Sequence, residues 1–253
     1  LVSGNPLLAI AGVMPRIGEG VPDPAACRGI PGLDIGKAYH RLGDDRSGGN
    51  AIDIFHDSRG ATSLAMVESS GHGADAERNA TLATYALRAY ASIGLDARRC
   101  VRALNRLLIE NGGFDGGEES FAAVFFALVA PGRRSISYVS AGRDGAVLIA
   151  PLGAFSLVAT APVVGLMDND AAFEHEVIAV RPGDVLVAVT AGFGAEADGR
   201  GRNSGADSAV DVIERSGTRS AQRQADALVA GASQFGGRQA HEDVAALVTR
   251  ILA

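Results

Sequence analysis

The chain has 253 residues, enough for one large domain or two small ones with a substantial core. A formal net charge of -6 leaves no basic footprint for nucleic acid, and no apolar run reaches the roughly 18 residues that a membrane span requires. The two cysteines, Cys27 and Cys100, lie far apart with neither metal spacing nor a disulfide framework, which fits a reducing cytoplasm. In chain order, residues 1–32 read as a lead-in or linker. Pro6, Pro15, Pro22, Pro24 and Pro31 discourage regular structure, and only Leu7–Met14 offers a short apolar stretch. The segment lacks the basic start of a secretory leader. The chain opens on Leu1 and not on Met, which leaves room for an upstream domain in a longer protein.

Residues 33–253 read as one domain. Leu33–Tyr39 is a strand, and Arg41–Gly49 is a polar loop carrying Asp44, Asp45 and Arg46. Ala51–His56 is a second strand, and Asp57-Ser58-Arg59-Gly60 turns it back into a third, Ala61–Glu68. That strand ends in a carboxylate followed by Ser69-Ser70-Gly71-His72-Gly73. The pattern places chemistry at a sheet rim, or is an ordinary strand–turn–helix junction. Ala76, Ala80, Ala83, Leu87 and Tyr90 give Ala74–Ser92 a helical stripe. Asp96 caps a second helix with Val101, Leu104, Leu107 and Leu108 on its apolar side, ending at Asn111-Gly112-Gly113. Both stripes read as core.

The second half is rich in strands: Ser120–Ala130, Ser135–Ser140, Gly145–Ala150, Phe173–Val180 and Val185–Thr190. Ala197–Asp207 is a loop without apolar residues, and Val210–Arg215 and Ala221–Phe235 are helical. Val244–Ile251 is a closing strand. Strands and helices in segregated runs predict an α+β fold, with helices layered on antiparallel sheets. His40, His56, His175 and His241 show no zinc spacing, and neither a phosphate-binding glycine loop followed by Lys nor a dinucleotide fingerprint is present.

Seven short motifs follow one another in a familiar order. They are Ser47-Gly48-Gly49-Asn50-Ala51-Ile52-Asp53, Glu68-Ser69-Ser70-Gly71-His72-Gly73, Leu104-Asn105-Arg106-Leu107 and Ser140-Ala141-Gly142-Arg143, then Arg181-Pro182-Gly183-Asp184, Thr190-Ala191-Gly192-Phe193 and Glu242-Asp243-Val244-Ala245. From about Leu33 to Leu252 the chain thereby resembles the metal-dependent protein phosphatases (PPM, protein phosphatase 2C-like), in the bacterial branch typified by sporulation stage II protein E. The resemblance implies a two-layer antiparallel β-sandwich flanked by helices. It also implies hydrolysis of phosphoserine or phosphothreonine by water held between two manganese or magnesium ions, such pairs lying roughly 3.5–4 Å apart. Hard dications in close proximity demand several inward-pointing carboxylates.

The departures from that family fall on the implied ligands. Asn50 stands at its first aspartate, a neutral amide of similar shape. Glu68 stands at the bridging aspartate and reaches roughly 1 Å or more further. Ala191 stands at the aspartate of the Thr-Asp-Gly turn and offers no ligand. Asp243 is retained, with Glu242 beside it and Gly49 before Asn50. Four anions become two. Asp45, Asp53 or Asp75 could rotate in, although Asp53 reads more simply as a structural strand-end aspartate. His72 reads as part of a structural turn, and Arg143, where the family has His, as a solvated loop arginine that could otherwise attract phosphate. The expectation is a degenerate phosphatase acting as a regulatory binding module on a phosphorylatable signalling protein, such as an anti-sigma antagonist, or on an attached domain. Manganese or magnesium binding is expected no tighter than about millimolar. The alternative is an active phosphatase using Glu68 and Asp243 as its catalytic and metal-holding residues, and a weaker one is a different ligand in the emptied pocket.

Overall fold

The computed structural model describes residues 29–40, 48–71, 73–110, 121–167, 172–191, 193, 204–217, 219–235 and 243–253. Their strands are β1 (Leu33–His40), β2 (Asn50–His56), β3 (Thr62–Ser69), β4 (Ala122–Val129), β5 (Ser135–Ala141), β6 (Ala146–Ala150), β7 (Gly153–Leu157), β8 (Glu176–Ala179), β9 (Val185–Val189) and β10 (Val244–Ile251). The helices are α1 (Gly73–Ser92), α2 (Ala97–Glu110), α3 (Ser204–Ser216) and α4 (Ala221–Phe235). One sheet runs β1-β10-β9-β6-β7 and the other β2-β3-β4-β5-β8, every pairing antiparallel. This is the expected α+β sandwich.

Successive strand side chains point to opposite faces, so a strand buried on both faces is apolar throughout. In β3, Leu64 and Met66 join the core between the sheets, with Ile52, Phe125, Leu186 and Leu247. Ala65 and Val67 face the other way, onto a layer formed by Ala80, Ala83 and Leu87 of α1 and Val101, Leu104 and Leu108 of α2. The second sheet repeats the arrangement. Leu186, Ala188, Ala245 and Leu247 face inward, whereas Val185, Val187, Val244 and Val248 pack under α3 and α4.

Several local expectations are met by identifiable bonds. Asp57 Oδ1 accepts the backbone N–H groups of Arg59 and Ala61, both at 2.9 Å, closing the β2–β3 hairpin. Asp96 Oδ1 accepts the Arg99 N–H at 2.8 Å as the cap of α2. Asn105 is wholly buried and anchors the segment before β8, donating to the Met167 carbonyl (2.9 Å) and accepting from the Gly165 N–H (2.8 Å).

Other expectations are corrected. The strand Phe173–Val180 is shortened to β8, because Phe173 leaves the sheet to bury itself against α1 and α2. β7 adds an edge strand that is exposed except at Leu157, so it carries no alternation to read. The helix read as Val210–Arg215 begins earlier, at Ser204, and takes up part of the expected Ala197–Asp207 loop. Leu7–Met14, Cys27, Asp44, Asp45, Arg46, His72, residues 197–203, His241 and Glu242 lie outside the described residues. No described helix is long and apolar enough to cross a membrane.

Candidate functional site

Five strand ends meet at one rim of the sandwich. Because β2 and β3 are antiparallel, the start of β2 lies beside the end of β3, and Asn50 is the direct partner of Glu68. Ile52 and Met66, two residues further along each strand, are an inward-facing pair. Period-two alternation therefore sends Asn50 and Glu68 to the same inter-sheet face, just above the apolar core. Asp243 precedes β10 in phase with the inward-facing Ala245 and Leu247. The chain leaves β9 through Thr190 and Ala191, and leaves β5 through Gly142 and Arg143, both at this same end.

Hydrogen bonds stitch these ends together. Asn50 Nδ2 donates to the Asp243 backbone carbonyl at 3.0 Å, joining the two sheets. Thr190 Oγ1 accepts the Ala245 N–H at 2.8 Å and donates to the Asp243 carbonyl at 3.4 Å, so this threonine holds the loop that carries Asp243. The Gly49 carbonyl accepts the Ser69 N–H at 2.8 Å, and a side chain at Gly48 would strike the Asp243 carboxylate. Glu68 Oε2 accepts the Ala191 N–H at 3.3 Å and forms an ion pair with Arg143 Nη1 at 3.4 Å. Arg143 Nη2 donates to the Val189 carbonyl at the end of β9.

The structure thus brings together Asn50, Glu68, Ala191 and Asp243, with Gly49 behind them. It also adds a residue the sequence reading placed in solvent. Arg143 is no solvated loop arginine: its side chain is only 8% exposed, against 25% for Glu68. Burial pulls the guanidinium pKa below its ordinary value, and the Glu68 charge works in the opposite direction. The signal available in the sequence was an arginine in the motif turn where the resembled family has histidine.

The other candidate carboxylates are held elsewhere. Asp53 is not at a strand end but in mid-β2, on the face opposite Asn50's inward neighbours, where it meets α1. Its two oxygens accept from Arg88 Nε (2.8 Å) and Nη2. Asp75 pairs with Arg78 at 3.1 Å. Among the described residues no group of three or more His, Cys, Asp and Glu is arranged to hold a metal ion.

Residues 58–252 match the family model described as stage II sporulation protein E (SpoIIE). No curated protein matches the sequence. The solved PP2C phosphatase domain of SpoIIE from Bacillus subtilis, with a fragment of its regulatory domain, superposes with a TM-score of 0.71 at 17% identity, covering 87% of this chain and 62% of that one. The RsbU and RsbW domains of a Mycobacterium tuberculosis protein give a TM-score of 0.68 at 20% identity, covering 88% and 62%. The catalytic domain of the serine/threonine phosphatase PstP, solved with two manganese ions, gives 0.65 at 13% identity, covering 87% and 100%. This chain spans 62% of the length of the first two, and at these identities the likeness is one of fold.

Proposed function

Because the chain belongs to the stage II sporulation protein E family, we propose that it is a phosphatase-fold regulatory module with little or no hydrolysis of its own. Its partner is a phosphorylatable signalling protein of the cytoplasm, of the anti-sigma-antagonist kind. The presence of RsbU and RsbW domains among the structural neighbours supports a partner-switching setting for that reading.

One observation carries the proposal: the sandwich rim holds its own cation where two metal ions would need several anions. Asn50 is neutral, Ala191 offers only a backbone N–H, and Glu68 is engaged by Arg143. Asp243 is the one aspartate kept at the four family positions. That donor set does not fit a pair of dications, whose mutual repulsion would be poorly screened beside side chains this little exposed.

The activity test is phosphate release from a phosphoserine protein of the antagonist class, with manganese in excess. The expected result is no turnover above background. Turnover that disappears in both Glu68→Ala and Asp243→Ala would instead establish the active-phosphatase reading.

A further inference from the structure

We propose that the Arg143 guanidinium is the resident cation of this pocket, doing with its own charge what bound metal would otherwise do: tying the two sheets together at the rim. The inference rests on the depleted-site reading above and extends it from what the pocket has lost to what has replaced it.

The guanidinium spans the gap between the layers. Nη1 meets the carboxylate of Glu68 on β3, and Nη2 meets the carbonyl of Val189 on β9, which belongs to the other sheet. Glu68 also accepts the Ala191 N–H, so carboxylate, guanidinium and the β9 end form a closed set of contacts between the sheets. A dication bridging donors from several strand ends would make the same kind of link. A second cation could not join it without repulsion from Arg143 and competition for Glu68.

The local backbone is shaped to deliver this side chain. Gly142 adopts φ 72°, a left-handed conformation open to glycine, which reverses the chain directly after β5. Ser140 Oγ donates to the Arg143 carbonyl at 2.8 Å and fixes the turn. Gly145 then leaves the space the guanidinium fills. A Cβ there would collide with Arg143 Nη2 and lie 2.6 Å from the Val189 carbonyl oxygen. Gly145 does not adopt a positive φ, so its requirement is for room and not for an unusual conformation. A buried charge this enclosed is tolerated where an opposite charge and hydrogen bonds surround it, and Glu68 and Val189 supply both.

The test is thermal unfolding of the full chain in EDTA and in about 1 mM manganese chloride, a concentration suited to weak oxygen sites. Four proteins are compared: wild type, Arg143→Ala, Gly145→Ala and, as a control for loss of a structural arginine, Arg88→Ala. The wild-type midpoint is expected to be the same in both buffers. Arg143→Ala should melt lower in EDTA and recover at least half of that loss in manganese, a shift of roughly 3 °C or more. Gly145→Ala keeps the charge but displaces it, and should show a smaller recovery of the same sign. Should Arg143→Ala fail to fold, Gly145→Ala alone decides the matter. Arg88→Ala should melt lower and ignore manganese.

If the wild type is silent and both pocket variants lose stability equally in the two buffers, Arg143 contributes packing only and the inference fails, while the depleted-site reading stands. If manganese raises the wild-type midpoint, the depleted-site reading fails and takes the inference with it.

Discussion

At three of the four proposed metal positions, the polar groups are engaged within the protein. Asn50 binds backbone across the sheets and Ala191 presents its N–H to Glu68, while Glu68 neutralises Arg143. Three other motif residues do structural work. Thr190 pins β9 to β10, Asn105 ties down the loop ahead of β8, and Asp184 Oδ2 accepts the Arg181 N–H at 2.8 Å to close the Pro-Gly-Asp turn. The hairpin aspartate offers a measurement free of the pocket. Asp57 is pushed up by partial burial, but the Arg59 side chain and the N–H groups of Ala61 and Arg59 outweigh this and hold it below its ordinary 3.8. A depressed native value means that the carboxylate's stabilisation is complete above 3.8 and is lost as pH falls through the folded-state value. In urea titrations, wild type should therefore exceed Asp57→Asn at neutral pH, with the gap narrowing as the solution is acidified below the ordinary value. A gap of constant size down to about pH 2 would contradict this assignment.

At the scale of elements, specific polar contacts among the described residues join the layers. On β2 the Asp53 carboxylate takes two bonds from Arg88 of α1, whose guanidinium also lies 5.0 Å from the Phe55 ring centroid. The aspartate side chain is 7% exposed and the arginine 33%. Arg88→Ala strands a buried anion and should lower stability by about 3 kcal/mol, read by urea unfolding; a loss under about 0.5 kcal/mol would show the pair to be incidental. On the other sheet, α4 starts so close to β1 that a Cβ at Gly36 would strike the backbone of Ala221 and Gln222. Asp34 caps that helix by accepting the Ala221 N–H at 2.8 Å. Much of this layer was legible beforehand. The alanine stripe of α1, the Asp96 cap and the full extent of α4 follow from spacing and capping chemistry. β7 did not, because an edge strand with one buried residue has no pattern, and Phe173 did not, because a buried aromatic can sit just outside a strand as readily as within it. The site was legible as a list of positions but not as an arrangement. Motif order located Asn50, Glu68, Ala191 and Asp243, yet no local signal shows that the turn after β5 lays Arg143 upon the end of β3, residues 75 apart in the chain.

For the whole molecule, the proposed loss of anions at the rim raises the question of what holds the sandwich together. Its stability resides in three apolar layers, one between the sheets and one beneath each helix pair, none of which depends on an ion. The rim can change its chemistry while the fold persists, and a recognition surface on the same scaffold can persist with it. Manganese titration of the purified chain by calorimetry probes this most directly. The account predicts no uptake tighter than about millimolar, whereas saturation by two ions in the micromolar range would contradict it.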